Sequence, residues 1–314
     1  GGPAMIEGGG LGSFHPKEVG PAKVQTQNGV IDILVEDEVE AVKICKQYLS
    51  YFQGIKTDSP CPDQRLLRQA IPENRRRVYD IRNVINGLVD IDSFLELRAH
   101  FGIGIITGLA RIEGRPMGLI ANNPSHLGGA IDAEGADKMA RFMQLCDAFG
   151  LPIVSLVDTP GIMVGPDAEK GGTVRHASRL FVLGSTLKVP YFSVILRKGY
   201  GLGAMAMTAG TFHGSVFTVA WPSGEFGAMG LEGAVRLGFK KEIEQAGDLV
   251  AQMEMYEKLV AKMYQRGKGI NLASYLEIDD VIDPKDTRSW IITGLDSIPR
   301  EQYEKGSGRI LDTW

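Results

Sequence analysis

The sequence predicts an α/β fold with parallel strand pairing. Three observations lead there. Between residues 103 and 240, short apolar runs alternate with stretches of helical periodicity, the pattern of strands joined by crossover helices. Runs such as LPIVSLVD and VPYFSVILRKG are apolar at nearly every position, as strands covered on both faces are. Glycine fills 40 of 314 positions, nearly twice the roughly 7% of average usage, and it clusters where those runs end. With no collagen period, that clustering asks for tight turns, close packing or backbone brought up to a ligand.

The elements follow in order. Residues 30–35 (VIDILV) read as a short strand or entry segment. In residues 36–51, Val39, Val42, Ile44, Cys45 and Leu49 recur near helical spacing and predict an amphipathic helix. Residues 52–77 lose that period, hold Pro60, Pro62 and Pro72, and read as a linker. A short helix is expected around 80–99. ITGLARI, Glu113-Gly114-Arg115-Pro116 and MGLIAN then read as a β-hairpin. DAEGADKMARFMQLCDAFG predicts a long helix capped by Asp132 and stopped by Gly150. LPIVSLVD is a buried strand. A loop holding Gly161, Gly165, Gly171 and Gly172 leads to the helix TVRHASRLFVLGSTLK, and VPYFSVILRKG is the next buried strand. A glycine turn opens the small-residue helix GAMAMTAG, and GSVFTVAWP is a third strand. FGAMGLEGAVRLGF reads as a helix. Residues 241–266 read as one long polar helix with Leu249, Met253, Met255, Leu259 and Met263 on its inner side.

Composition narrows the function. With 34 basic and 38 acidic residues the net charge is −4, against a broad nucleic-acid surface. Arg75, Arg76 and Arg77 form the one strong basic run, read either as a solvated loop or as a phosphate contact. Three widely spaced cysteines (Cys45, Cys61, Cys146) build no disulfide framework or zinc site and fit a reducing, cytoplasmic setting. The five histidines form no metal-spacing pair, and no apolar run approaches the roughly 18 residues of a membrane span. No signal peptide is visible. The chain opens Gly-Gly-Pro without an initiator Met, which reads as a fragment or processed chain.

Among the motifs, the segment from Leu196 to Met207 weighs most. A buried strand runs through glycines straight into a helix, and that geometry leaves main-chain N–H groups free to hold an oxyanion. The competing reading is glycine for close packing. VDTPG, from Val157 to Gly161, resembles a GTPase switch, but the required GxxxxGK[ST] loop is missing. Gly102, Gly104 and Gly108 do not open a helix, so a dinucleotide site is not expected. There is no GxSxG elbow. Asp158, Asp167 and Glu169 read as solvated loop carboxylates or acid–base groups, and His176 as a helix residue facing a groove. A weak repeat links the start of the chain, GGPAMIEGGGLG before GVIDILVEDEVEAV, with WPSGEFGAMGLEG before EIDDVIDPKDTRSW near its end.

The ordered segments ITGLARIEGRPMGLIANNP, KMARFMQLCDAFGLPIVSLVDTPGIMVG, EKGGTVRHASRLF, VPYFSVILRKGYGLGAMAM and VAWPSGEFGAMGLEGAV resemble the carboxyltransferase (β) subunits of biotin-dependent acyl-CoA carboxylases, across essentially the whole chain. The resemblance implies a crotonase-like (ClpP/crotonase) ββα spiral. Residues 1–58 would be the tail of a preceding N-terminal copy with its linker, and 59–314 the C-terminal carboxyltransferase domain, which would explain the repeat.

The resemblance also implies a reaction. Carboxybiotin on a carrier protein or domain gives up its carboxyl group, and the α-carbon of an acyl-CoA takes it up as an enolate. Paired main-chain N–H groups hold the oxygens that become negative, and neither a metal nor a covalent nucleophile is needed. The donors would fall at Leu202 and Gly203, with Ala204 adjacent, where many family members have Tyr-Gly-Gly-Ala and this chain has Tyr200-Gly201-Leu202-Gly203-Ala204. Gly161, Gly165, Tyr200 and Gly201 would form the biotin-side loop, and Met205 would border an apolar acyl pocket. Implied partners are biotin carboxyl carrier and biotin carboxylase components, the N-terminal domain and further copies in a dimer or hexamer. The alternatives are a biotin-dependent decarboxylase subunit and a non-catalytic assembly fragment lacking the N-terminal half-site; a biotin-independent crotonase-type hydratase or hydrolase would need a positioned acid base.

Overall fold

The computed structural model describes residues 1–313. The chain opens with the helices α1 (Pro3–Gly8), α2 (Ala22–Gln27) and α3 (Glu38–Ser50). Asp37 caps α3, its carboxylate accepting from Glu40 N. The expected strand at 30–35 does not form. Among the described residues no strand lies beside it, Val30 and Leu34 stay exposed, and the Asp32 carbonyl accepts a bond from Arg98 N. The stretch read as a linker does more than connect. Tyr51 is buried and donates its hydroxyl to the Ser93 carbonyl, Arg111 donates to the Gly54 and Ser50 carbonyls, and Leu67 is buried in a 3-10 turn, Gln64–Gln69.

The helix expected over 80–99 stops early. It is α4 (Ile81–Leu88), and β1 (Leu95–Leu97) follows. Asp90 ends it: its carboxylate turns away to accept from Glu113 N and Gly114 N of the hairpin and to pair with Arg288. Strands β2 (Ile105–Ile112) and β3 (Arg115–Asn122) form that hairpin around a two-residue turn at Glu113 and Gly114. Both turn residues have positive φ, 53° and 72°, as a type I′ turn requires.

Helix α5 (Ala133–Phe149) is capped by Asp132 and ends at Gly150, whose φ of 71° closes it in the left-handed region. Then come β4 (Ile153–Thr159), α6 (Pro166–Lys170), α7 (Thr173–Gly184), β5 (Tyr191–Tyr200), α8 (Gly201–Met207) and β6 (Phe217–Ala220). Where one helix was expected there is first a strand, β7 (Glu225–Gly227), pairing with the end of β5, and then α9 (Leu231–Gly238). The long polar helix is broken into α10 (Lys240–Glu244) and α11 (Leu249–Arg266), because Gly247 adopts φ 117° and Asp248 caps a new start. Its predicted inner face is open: Leu249 and Met253 are exposed and α11 buries no residue. α12 (Gly269–Ser274), β8 (Asp280–Val281) and α13 (Thr287–Asp296) complete the chain.

One sheet runs in the order β1-β2-β3-β4-β5-β6-β8, with β7 beside β5. The first three strands are antiparallel, and from β3 onward all pairs are parallel. The core lies around β4 and β5, where Ile153, Leu156, Phe192, Val194 and Ile195 are fully buried. β3, β4 and β5 therefore end at one edge, and there the loops that concern function meet.

Candidate active site

Strand β5 passes into α8 with no residue between them. So abrupt a junction needs a left-handed residue, and Gly201 supplies φ 57°; a Cβ there would also lie 2.6 Å from the Ala228 carbonyl oxygen. Among the described residues, no side chain caps α8. The N–H groups of its first turn, those of Leu202 and Gly203 among them, thus have no acceptor within the helix. The Leu202 side chain is 61% exposed, whereas Gly203 and Ala204 are buried. Met205, one turn on, is half-buried.

The loop after β4 comes to the same place. A Cβ on Gly203 would lie 2.5 Å from the Gly161 carbonyl carbon and 2.6 Å from its α-carbon. The two main chains touch with no side chain between them. Gly161 is itself fixed: its N–H donates to Thr159 Oγ1 at 3.1 Å, and its carbonyl accepts from Ile131 N at 3.0 Å. Gly165 lies further along at the start of α6, with φ 112° and open space about it. Tyr200 is buried, and its hydroxyl donates to Glu225 at 3.1 Å.

Beside this turn sits a network the sequence did not announce. Asp158 is fully buried. Lys198 Nζ reaches it at 2.6 Å, Arg197 Nη2 at 3.0 Å and the Tyr79 hydroxyl at 2.8 Å. The register of β4 against β5 shifts here, and Asp158 fills the gap by accepting from Lys198 N. Its reading as a solvated loop carboxylate is therefore wrong: a carboxylate at the end of a strand buried on both faces has no water to turn to. Burial pulls the Lys198 ammonium below its ordinary range, against the attraction of Asp158. Burial and Asp158 both push the Tyr79 phenol up. The two cations in Leu196-Arg197-Lys198-Gly199 were the available signal, since charges on a buried strand demand a partner.

A second group adjoins it. Glu225 lies opposite Lys198 in the β5–β7 pair and faces Arg75 at 3.4 Å as well as Tyr200. Burial raises its carboxyl above the ordinary range, and Arg75 opposes this. Arg75 stacks over the Tyr264 ring, 3.5 Å from its centroid, while Arg76 is exposed to solvent. Other candidates lie elsewhere. Asp167 is solvated, and His176 Nδ1 is 2.7 Å from Asp137, tying α7 to α5 rather than facing a groove. Among the described residues, no three His, Cys, Asp or Glu side chains gather as a metal-ligand group, and no helix is long and apolar enough to cross a membrane.

The fold is that of the carboxyltransferases. The chain superposes on a single-chain, multi-domain long-chain acyl-CoA carboxylase with TM-score 0.87 and 54% identity, covering 93% of this chain and 29% of that one. It superposes on the transcarboxylase 12S hexamer, solved with methylmalonyl-CoA and methylmalonic acid bound, with TM-score 0.83 and 33% identity over 94% of this chain and 58% of that one.

The chain belongs to the carboxyl transferase family, whose domain model, "Carboxyl transferase domain", matches residues 14–305. It is 36% identical to the methylmalonyl-CoA carboxyltransferase 12S subunit of Propionibacterium freudenreichii subsp. shermanii, over 86% of this chain and 52% of that protein. It is 34% identical to the carboxyltransferase subunit of propionyl-CoA carboxylase from Haloferax mediterranei, over 93% and 59%. The chain thus spans little more than half the length of these curated relatives.

Proposed function

We propose that this chain is the C-terminal part of a biotin-dependent carboxyltransferase that moves a carboxyl group onto the α-carbon of an acyl-CoA. The observation that carries the reading is the uncapped first turn of α8, with Gly203 pressed against Gly161 at the carboxyl edge of the sheet. The family and the names of the relatives support it.

When bound, carboxybiotin supplies an activated carboxyl group. The donor set suits it, because paired backbone N–H groups are fitting partners for a ureido oxygen that becomes negative. Leu202 and Gly203 are the proposed donors, with Ala204 behind them. They are held rigid, so they need little reorganisation as charge develops. Gly161, Gly165, Gly201 and Tyr200 border the biotin side, and the buried Tyr200–Glu225 pair anchors the strand end from which α8 starts. Charged groups near the turn, Asp158 with Arg197 and Lys198, are spent on one another, which leaves the main chain as the working surface.

Residues 1–58 are proposed to be the tail of an N-terminal domain of the same crotonase-like fold, which would supply the second donor pair. Biotin carboxyl carrier and biotin carboxylase components are the proposed partners, in a homo-oligomer such as the hexamer named for one relative. Three free thiols fit a cytoplasmic enzyme. The half-buried Met205 favours an apolar acyl group, and the name of the 54% identical structure points to a long chain.

The test is decarboxylation of malonyl-CoA by the full-length protein with free biotin. Release of CO2 that depends on biotin is expected. Binding of neither CoA nor a biotin ester would favour a non-catalytic assembly role instead.

A further inference from the structure

The basic run Arg75-Arg76-Arg77 lies on the loop that leads into α4, and its three residues serve differently. Arg76 is exposed, 3.8 Å from Glu232. Arg77 uses its main chain: the carbonyl accepts from Arg197 Nη1 at 2.8 Å. Arg75 reaches across to two other elements. Its guanidinium lies 3.5 Å from the centroid of the Tyr264 ring on α11, and its Nη1 is 3.4 Å from Glu225 Oε1 on β7. The second oxygen of Glu225, Oε2, accepts from the Tyr200 hydroxyl at 3.1 Å. Tyr264 donates its own hydroxyl to Glu232 Oε1 on α9 at 2.8 Å. Contacts therefore run without a break from α9 through Tyr264, Arg75 and Glu225 to Tyr200. Tyr200 is the last residue of β5, and α8 with the proposed donors starts at the next one.

We propose that Arg75 is a positioning residue for the donor turn, holding the Glu225 carboxylate against the Tyr200 hydroxyl so that β5 delivers α8 at a fixed place. The inference rests on the carboxyl-transfer reading above and adds a residue to its machinery. Three observations carry it. First, the other nearby cations are taken. Lys198 stands opposite Glu225 in the β5–β7 register, but its ammonium goes to Asp158 at 2.6 Å, and Arg197 goes to Asp158 at 3.0 Å. Among the described residues, Arg75 is the one ion-pair partner of Glu225. Second, the Glu225 side chain is only 15% exposed, so a carboxylate there needs a partner. Burial raises its carboxyl, and Arg75 is the strongest influence opposing that. Third, the contact uses what a guanidinium offers. Arg75 lies over a ring while also meeting a carboxylate, a pairing that a compact lysine ammonium does not reproduce.

The test measures biotin-dependent decarboxylation of malonyl-CoA across pH for the full-length enzyme, with Arg75→Met and Arg75→Lys made in wild type and in Glu225→Gln. A misplacement of about 1 Å costs about 10²-fold in rate, so kcat in Arg75→Met is expected to fall by about 10- to 100-fold with the KM for malonyl-CoA unchanged. The groups that face Glu225 are Tyr200, Arg197 and Lys198 on β5, Glu232 on α9 and Arg75 itself. Lys268 bridges to it through the main chain, and Arg68 and Asp283 across the neighbouring cleft pair with each other. Losing Arg75 removes the strongest influence that keeps this carboxylate ionised, so the acid limb of kcat moves to higher pH. Arg75→Lys retains the charge; its acid limb stays near that of wild type and its kcat falls less. In the Glu225→Gln background neither effect of Arg75→Met remains. An equal loss of kcat in both backgrounds overturns the proposal, because Arg75 would then act apart from Glu225. So does a rise in KM alone, which would make Arg75 a contact for a substrate phosphate, and so does an unchanged kcat in Arg75→Met. If the unsubstituted enzyme shows no biotin-dependent decarboxylation, the carboxyl-transfer reading falls and takes this assignment with it. If it does and the acid limb of Arg75→Met does not move, the assignment to Arg75 alone falls.

Discussion

Gly203 of α8 and Gly161 of the loop after β4 meet main chain to main chain, 2.5 Å separating the place of a Gly203 Cβ from the Gly161 carbonyl carbon. Two segments 42 residues apart in sequence are thereby locked together at the proposed donor turn. Gly203→Ala must push them apart, and overpacking of this kind costs about 1–3 kcal/mol. We expect a lower midpoint of chemical unfolding and a larger loss of turnover than the stability loss explains. Gly161→Ala has room for its Cβ, with the nearest atom, Tyr200 O, at 3.9 Å, but carries the strain of φ 132°. The two variants should therefore differ: the first displaces α8, and the second strains the loop and leaves α8 in place.

The Asp158 network makes a sharper stability prediction. Asp158→Asn leaves the buried Arg197 and the part-buried Lys198 beside a neutral amide. Breaking a buried pair by removing one partner costs roughly 3–5 kcal/mol. Urea denaturation should show a loss of that size, and a loss below about 1 kcal/mol would mean that the two cations find water.

Lys138 on α5 is buried, its Nζ has no hydrogen-bond partner among the described residues, and burial lowers its pKa to about 8. Below pH 8 both folded and unfolded chains hold its proton, and the folded state bears the full cost of a buried charge. Between pH 8 and its ordinary 10.5 only the unfolded chain keeps the proton, so that cost fades as pH rises. Lys138→Met should stabilise the protein at pH 7 by up to roughly 3 kcal/mol, 2.5 pKa units at 1.36 kcal/mol each. The gain should shrink toward pH 10.5, and a gain that does not vary with pH would refute this origin.

Glu225 titrates in the opposite window. Its carboxyl is raised above 4.5 in the folded state by burial, so the folded chain binds the proton more tightly than the unfolded one. Its contribution is most favourable at acid pH and declines as pH rises through the interval above 4.5. Glu225→Gln keeps an acceptor for the Tyr200 hydroxyl and removes the titration. Melting temperatures of wild type and variant should diverge as pH rises above 4.5, with the variant declining less.

Much of this architecture was written in local signals. Glu113-Gly114 between two apolar runs fixes the hairpin, Asp132 and Gly150 bound α5, and the unbroken apolar runs at 153–159 and 191–200 are the central parallel strands. Misreadings arose where distant partners decide. Helical spacing continued past Leu88, but Asp90 is claimed by the hairpin turn and by Arg288, 198 residues away. Periodicity alone could not reveal that nothing covers Leu249 and Met253. Asp158 looked like a loop residue because its partners, Tyr79, Arg197 and Lys198, come from two other segments. The glycines of the turn were visible as a cluster, but each has its own reason: Gly201 its φ of 57° and Gly203 its contact with Gly161.

The proposed chemistry rests on a main-chain N–H of the α8 turn. Leu202 offers the cleanest test, because its side chain is exposed and it lies in the first helical turn, where proline is tolerated. In the full-length enzyme, biotin-dependent decarboxylation of malonyl-CoA is measured for Leu202→Ala, which keeps the N–H, and Leu202→Pro, which deletes it. We expect kcat to fall about 10²–10³-fold further in the proline variant than in the alanine variant. Equal turnover in the two folded variants would contradict it.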